Sequence, residues 1–190
     1  MSVRTDWNGP SYADWAARWR VPLHFAVAVV ALVFAQPRPA LLAGGAAMVA
    51  AGLAVRAWAA GHLRKEQPLT TSGPYAHVRH PLYRGTAIIL AGFALACGRV
   101  WLAVLLAAYF LLVFLPVMRR EERERSRLAP EGYREYAAQV PAFFPRFRGY
   151  KGPDAAARFD FSLYLRNREW QAAAGCGAAL AVLWVKCVLG

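Results

Sequence analysis

Five long apolar runs dominate the sequence and limit what it can fold into. The spans that they predict cover approximately residues 16–36, 40–61, 81–97, 100–118 and 170–188. An α-helix needs about 20 apolar residues to cross the hydrocarbon core of a bilayer. A helix also satisfies its backbone hydrogen bonds internally, as lipid surroundings require. The sequence therefore predicts an all-α integral membrane protein with about five transmembrane helices, in which residues 1–190 form a single membrane domain.

The distribution of basic residues predicts the orientation of these helices. The chain is 58% hydrophobic, yet its 23 Lys and Arg residues give it a net charge of +12. Nineteen of them fall on the side of the membrane that holds the N terminus, three fall on the other side, and Arg56 lies within a span. Because basic loops stay in the cytoplasm, we expect a bacterial inner (plasma) membrane protein with a cytoplasmic N terminus and an external C terminus. We expect the basic charge to meet anionic lipid head groups, and we expect no nucleic acid partner.

Residues 71–85 combine a turn, a basic pair and a helix start. Gly73-Pro74 cannot continue a helix, whereas Pro81 suits the first helical position because no hydrogen-bond donor is needed there. Arg79 and His80 therefore directly precede a helix N-terminus, where free N–H groups favour an anion. The pattern fits a site for a carboxylate or phosphate group, and it equally fits a basic loop at a membrane surface.

Three further charged residues are candidates for the same site. Arg56 lies inside the second apolar run, so its guanidinium must either reach the membrane surface or find a partner. Glu121 and Glu122 follow the fourth run by about one helical turn, at the depth expected for the basic pair. Most charges in residues 119–127 are expected to form a solvated face of a helix that continues out of the membrane.

The segment 119–169 is predicted to form a helical cap at the membrane interface. Pro130 ends the charged helix, and residues 131–139 are predicted to be a short helix. Residues 158–168 alternate apolar and polar side chains, which leaves strand and interfacial helix both open. The three cysteines show no metal-ligand spacing, so we interpret them as packing residues and predict no metal site.

Several motifs together resemble the isoprenylcysteine carboxyl methyltransferase family. They are Arg56-Ala57-Trp58-Ala59, Ser72-Gly73-Pro74-Tyr75, Arg79-His80-Pro81-Leu82-Tyr83-Arg84-Gly85, Glu121-Glu122, Tyr133-Arg134-Glu135-Tyr136 and Val140-Pro141. The resemblance covers roughly residues 54–145, about half of the chain. It implies an integral membrane enzyme that uses S-adenosylmethionine. Pro130 departs from the family, which usually has glycine there.

The resemblance also implies roles for individual residues. Tyr75, Arg79 and His80 match positions in the cofactor pocket, and Glu121 and Glu122 match the acidic pair that closes it. Arg56 and Tyr83 match positions near the transferred methyl group and the acceptor. The implied acceptor is a lipidic or prenylated small molecule or protein that enters from the membrane.

The chemistry of methyl transfer asks for these residue types. In-line displacement depends mainly on alignment and charge placement. A carboxylate acceptor is already ionised and would be oriented by Arg56, whereas an amine acceptor must lose a proton, for which Glu121 is a candidate base. Aromatic rings such as Tyr75 and Tyr83 suit a sulfonium cation.

The leading expectation is carboxyl O-methylation of an isoprenylcysteine-type acceptor, and other functions remain open. One is a phospholipid N-methyltransferase of the ethanolamine type, which the resemblance relates to the same group. Another is a nicotinamide-dependent sterol-type reductase, since such enzymes also carry an Arg-His-Pro-x-Tyr string. The last is a helical membrane protein without catalytic function. The sequence assigns no oligomeric state.

Overall fold

The computed structural model describes residues 11–67 and 69–190, and every regular element in that part of the chain is helical. The α-helices are α1 (Tyr12–Phe34), α2 (Pro39–Ala60), α3 (Pro81–Ala96), α4 (Val100–Tyr109), α5 (Leu115–Leu128), α6 (Pro130–Gln139), α7 (Phe161–Arg166) and α8 (Glu169–Leu189). Five long helices form a bundle, in which α4 and α5 belong to one continuous helix. Three shorter pieces lie at one end of it: α6, α7 and the 3-10 turn Gly73–Ala76. We call the end of the bundle where α2 ends and α3 begins the polar end.

Length and composition agree with a membrane-spanning bundle. Four helices are long and apolar enough to cross a bilayer: α1, α2, α8 and the continuous helix Val100–Leu128 that contains α4 and α5. The fifth, α3, is apolar but has only 16 residues, fewer than the ~20 that a full crossing needs. The prediction of an all-α integral membrane protein is confirmed.

The first helix begins earlier than the sequence analysis placed it. The predicted span began at residue 16, but α1 already starts at Tyr12. Ser11 and Asp14 explain the difference, because each side chain binds the other residue's backbone N–H and so caps the helix start. The residues before Ser11 lie outside the described part of the chain.

Glycine pairs bring α2 and α3 into the most extensive helix–helix contact of the bundle. A Cβ added at Gly52 would lie 2.8 Å from the carbonyl oxygen of Gly85, and one at Gly85 would lie 2.8 Å from that of Gly52. Gly45 and Gly92 face each other in the same way, at 2.5 and 2.7 Å. Only glycine permits such close backbone approach, which is a common way for membrane helices to associate.

A five-residue π-helical segment, Phe110–Phe114, joins α4 to α5 without ending the helix. Pro116 accounts for it, since proline lacks the N–H that would bond to the carbonyl of Leu112 and its ring crowds that carbonyl. The freed oxygen accepts a hydrogen bond from the Tyr12 hydroxyl of α1 at 2.9 Å. The helix then continues into the charged run as predicted, although the sequence analysis did not identify the distortion.

The last helix is fastened to the bundle by polar contacts near both ends. Near its C-terminus, the Lys186 ammonium donates to the carbonyls of Leu32 and Val33 at the end of α1, both at 2.8 Å. These carbonyls have no partner within their own helix, so the lysine satisfies them. At the polar end, Glu169 contacts Arg56 of α2.

The cap consists of α6, α7 and the irregular segment between them. Tyr133, Tyr136 and Val140 form a small buried cluster with Leu69 and Tyr150 packed against it. The undecided segment 158–168 contains the helix α7, whose first turn is capped by Asp160. The side chain of Asn167 donates to the carbonyl of Ala60, the last residue of α2, and to that of Leu63 in the turn that follows. The cap therefore rests directly on the polar end.

Candidate functional site

The 71–85 stretch forms the predicted turn and helix start. Gly73 has φ +55°, which is favourable for glycine, and opens a short 3-10 turn that ends at Ala76. His80 is the residue before the helix and Pro81 is the first helical residue. The side chains at positions 79 and 80 are thus held at the N-terminus of α3, as the sequence predicts.

A distant segment supports the backbone of this stretch. The N–H groups of Arg79 and His80 donate to the carbonyls of Pro141 and Ala142 at 2.9 and 3.2 Å. Further along, the N–H of Arg146 donates to His77 and that of Tyr150 donates to Ala76. These bonds satisfy polar backbone groups that helix α3 cannot reach. The sequence analysis did not anticipate this pairing, because the two segments are about 60 residues apart.

Arg79 and His80 both contact Glu122 of α5. The Arg79 Nη2 atom lies 3.0 Å from Glu122 Oε1, and His80 Nε2 lies 3.1 Å from the same oxygen. The His80 side chain is almost fully buried, at 2% exposure. The basic pair and one predicted carboxylate therefore meet directly at the polar end.

The second carboxylate, Glu121, binds the Tyr83 hydroxyl and lies 3.8 Å from Arg125 one turn further along α5. The rings of His80 and Tyr83 lie 5.7 Å apart edge to face, which joins the two pairs into one cluster. Arg20 of α1 also reaches the Tyr83 hydroxyl, at 3.5 Å. Nothing in the position of Arg20 along the sequence indicates this contact.

Tyr75 and two tyrosines of the cap complete the surroundings of the cluster. Tyr75 is buried, and its carbonyl accepts a hydrogen bond from the fully buried Tyr136 hydroxyl at 2.7 Å. Burial raises the pKa of Tyr75 well above its ordinary value, and the nearby Glu121 carboxylate adds to this effect. Its hydroxyl is therefore neutral and keeps its proton for hydrogen bonding.

Two buried polar atoms at this cluster lack a hydrogen-bond partner in the described part of the chain. They are Nε of Arg79 and the hydroxyl of Tyr133. Burial, and then the Glu122 carboxylate, raise the pKa of Tyr133, so its hydroxyl is also protonated. Unpartnered buried donors are rare and unfavourable, so these two atoms are candidate ligand-binding donors.

Arg56 forms a separate group with Thr86 of α3 and Glu169 of α8. Its Nε and Nη2 atoms donate to the two carboxylate oxygens of Glu169 at 2.9 and 2.8 Å, and Nη1 donates to the Thr86 hydroxyl at 2.6 Å. Arg56 has therefore found a partner, one of the two possibilities considered from the sequence. Among the described residues, no hydrogen bond or ion pair joins Arg56 to Glu121 or Glu122. Glu169 was missed, since it lies 113 residues away along the chain.

An apolar cavity of about 210 Å³ adjoins this ion pair. It is lined by Leu53, Ala54 and Ala57 of α2, by Tyr164 and Ala173, and by the carboxylate-bearing residue Glu169. Within residues 11–67 and 69–190, no group of three or more His, Cys, Asp or Glu side chains is arranged to hold a metal ion.

Comparison with known proteins relates the central part of the chain to a methyltransferase family. Residues 40–127 match the model of the phospholipid methyltransferase family. This range contains all seven site residues predicted from the sequence, whereas Arg20, Tyr133 and Glu169 lie outside it.

Two curated relatives are similar over a longer range. The cobalt-zinc-cadmium resistance protein CzcN of Cupriavidus metallidurans is 36% identical over 143 residues, 70% of this chain and 65% of that protein. The nickel-cobalt-cadmium resistance protein NccN of Alcaligenes xylosoxydans xylosoxydans is 35% identical over 137 residues, 67% of this chain and 63% of that protein. The chain thus spans slightly less than two thirds of either relative.

No solved structure matches the chain. The family match supports a relationship between this chain and the membrane methyltransferases.

Proposed function

We propose that the protein is an S-adenosylmethionine-dependent methyltransferase that acts on a lipidic acceptor at the inner face of the plasma membrane. The observation that carries the proposal is the contact of Arg79 and His80 with Glu122, beside the Tyr83–Glu121 pair. This contact brings basic side chains and carboxylates together at one end of a membrane bundle. The excess of basic residues on that side supports a cytoplasmic polar end, with the N terminus inside and the C terminus outside.

The residues of this cluster fit the methyl donor. S-adenosylmethionine would supply an activated methyl group, together with a carboxylate, an ammonium group and ribose hydroxyls to be held. The unpartnered Arg79 Nε and Tyr133 hydroxyl are donors suited to a carboxylate, and Glu121 and Glu122 are acceptors suited to the ammonium group or hydroxyls. The aromatic faces of Tyr75 and Tyr83 suit a sulfonium cation.

For the acceptor, the finer proposal is a carboxylate of the isoprenylcysteine type. Arg56 supports it, because its guanidinium already binds a carboxylate through two parallel hydrogen bonds in this structure, that of Glu169. An ionised carboxylate acceptor needs no base to remove a proton. The role of Arg56 would be to hold this carboxylate and orient it for methyl transfer. The apolar cavity beside Glu169 lies where an acyl or prenyl chain could reach the ion pair.

An amine acceptor is the second candidate, and the phospholipid methyltransferase match favours it. An amine must lose a proton during methylation, and Glu121 is the carboxylate that contacts Tyr83 beside the proposed donor site. In this alternative Arg56 and Glu169 have only a structural role.

The methyl-donor assignment can be tested by thermal unfolding of the purified protein. S-adenosylhomocysteine should raise the Tm of the wild type, whereas reduced nicotinamide dinucleotides should not. The shift should disappear in Arg79→Ala and Glu121→Ala without loss of the helical circular dichroism signal. Stabilisation by the nicotinamide compounds instead would indicate the reductase, and no shift with either would favour a protein without this catalytic function.

The acceptor can be identified with a labelled methyl group and a crude lipid extract. Label released by mild base indicates a methyl ester, whereas label that resists base indicates N-methylation. Arg56→Ala should lower kcat for the ester product and leave the affinity for S-adenosylhomocysteine unchanged. Full activity in that variant would leave Arg56 with the structural role alone.

The names of the two relatives add a cellular role to test. Both are described as metal-resistance proteins, so we propose that this chain too contributes to resistance to cobalt, cadmium or related divalent metals. Deleting its gene should then sensitise cells to these metals. Complementation with wild type but not with the Arg79→Ala variant would tie resistance to the proposed site.

A further inference from the structure

A groove of about 330 Å³ opens at the polar end, away from the Tyr83–Glu121 pair. One wall is α2, another is the first turn of α3, and the segment 145–147 covers it from the cap. Arg84 lines this groove, whereas its neighbour Tyr83 contacts Glu121. Successive helical residues point about 100° apart, so the two side chains serve different surfaces of α3.

The groove carries positive charge. Two arginines, Arg84 and Arg146, line it, and no acidic residue is among the described residues of its lining. Neither Arg84 nor Arg146 takes part in any ion pair between the described residues. The Arg146 guanidinium donates one hydrogen bond to the Gln139 carbonyl. The N–H groups that it and Arg84 still offer have no carboxylate partner and favour an anionic ligand that can accept several hydrogen bonds, such as phosphate.

The rest of the groove is lined mostly by apolar side chains. Val55 and Trp58 lie one helical turn apart on the α2 wall, and Phe147 is fully exposed at 104%. Exposed aromatic side chains next to arginine are typical of the head-group layer of a membrane. The α2 wall leads from that layer along a membrane-spanning helix, so a ligand with an anionic head and an apolar tail matches both parts.

We propose that this groove binds the head-group phosphate of an anionic phospholipid, held by Arg84 and Arg146, with an acyl chain along Val55 and Trp58. The inference does not depend on the proposed reaction. A bound phosphate would connect α3 to the segment whose Arg146 N–H bonds to His77, and so would stabilise the cap against the bundle. The lipid would therefore raise the stability of the folded protein.

The test uses the full chain in neutral detergent, titrated with phosphatidylglycerol or phosphatidylcholine. Native mass spectrometry counts the retained lipid, and thermal unfolding gives the apparent affinity. Phosphatidylglycerol should be retained and should raise Tm more than phosphatidylcholine does. In the Arg84→Gln/Arg146→Gln double variant its affinity should fall about thirtyfold. The matched control, Arg123→Gln/Arg127→Gln, changes the charge equally on exposed residues of α5 and should bind like the wild type.

A second pair of variants keeps the test valid if the double variant fails to fold. Phe147→Asp puts a carboxylate into the groove at a fully exposed position. Phe144→Asp adds the same charge at an exposed residue that does not line the groove. Only the first should weaken phosphatidylglycerol binding. Equal binding by both variants, or equal binding of phosphatidylcholine by the wild type, would overturn the proposal. Stabilisation by inorganic phosphate alone would also overturn it, in favour of a site for a soluble anion.

Discussion

Arg56 of α2 and Glu169 of α8 form a two-bonded ion pair that joins the second and the last long helix at the polar end. The exposed fractions of the two side chains are only 22% and 11%. Because each charge is largely withdrawn from solvent, either one is unfavourable without the other. The pair is therefore expected to hold α8 in place.

The strength of this pair can be measured with Arg56→Met, Glu169→Met and the double variant. Each single change should lower the free energy of unfolding by about 2 kcal/mol, and the double change by clearly less than the sum. Arg166 and Glu66 provide the control, since they form a 2.9 Å ion pair with exposures of 64% and 67%. Breaking that pair should change stability by less than about 0.5 kcal/mol. Additive effects at Arg56 and Glu169 would contradict a coupled pair.

Replacement by phenylalanine is expected to have different effects on stability at Tyr133 and at Tyr136. Tyr136→Phe removes the donor to the Tyr75 carbonyl and should destabilise the protein by about 1–3 kcal/mol. Tyr133→Phe removes a buried hydroxyl without a partner among the described residues, so Tm should stay unchanged or rise. It should, however, weaken S-adenosylhomocysteine binding about tenfold, measured by the ligand-induced shift in Tm. Unchanged affinity would exclude this hydroxyl from the donor site.

The glycine contacts between α2 and α3 can be tested with single alanine substitutions. Gly45→Ala places a methyl group 2.5 Å from the backbone oxygen of Gly92, so the helices must move apart, at a loss of about 1–3 kcal/mol. Gly177→Ala in α8 meets nothing within 4 Å and should be neutral or stabilising by up to about 1 kcal/mol. Unfolding in detergent measures both, and equal effects would show that close approach is not the cause.

The environment of His62 leads us to expect that the stability of the protein depends on pH. Its Nδ1 lies 3.2 Å from the Ser72 hydroxyl, and burial lowers the pKa of His62, an effect that Asp154 partly opposes. The unfolded chain then takes up a proton at higher pH than the folded protein. The stabilising contribution is present above about pH 6.5 and is lost as the pH falls through the folded-state pKa. His62→Gln should reduce the difference in Tm between pH 7.5 and pH 5.5, and an unchanged difference would exclude His62 as its source.

Much of the fold could be predicted because membrane insertion imposes simple rules of length and composition. The predicted span 40–61 corresponds to α2 at Pro39–Ala60, and 170–188 corresponds to α8 at Glu169–Leu189. The start of α3 was predictable because Pro81 has one favourable place in a helix. The start of α1 was predicted too late, because Ser11 and Asp14 are polar residues that precede the apolar run and were not recognised as a helix cap.

The candidate site was predictable only where its members lie on elements of known direction. His80 precedes α3 and Glu122 follows a span, so both were expected at the same depth, and the structure brings them into contact. Glu169 and Tyr133 could not be assigned, because their roles depend on tertiary packing between segments far apart in sequence. The same is true of the backbone bonds from residues 79 and 80 to residues 141 and 142.

The π-helical segment Phe110–Phe114 controls the direction in which the carboxylates of α5 point. A wide turn changes the rotational phase of everything that follows it along the helix axis. Without one residue of that segment, α5 would be rotated by about 100°, and Glu121 and Glu122 would turn away from Tyr83 and His80. Pro116, which causes the wide turn, thus determines the rotational position of α5. A deletion within the apolar part of this helix would therefore misalign the carboxylates of Glu121 and Glu122 beyond it.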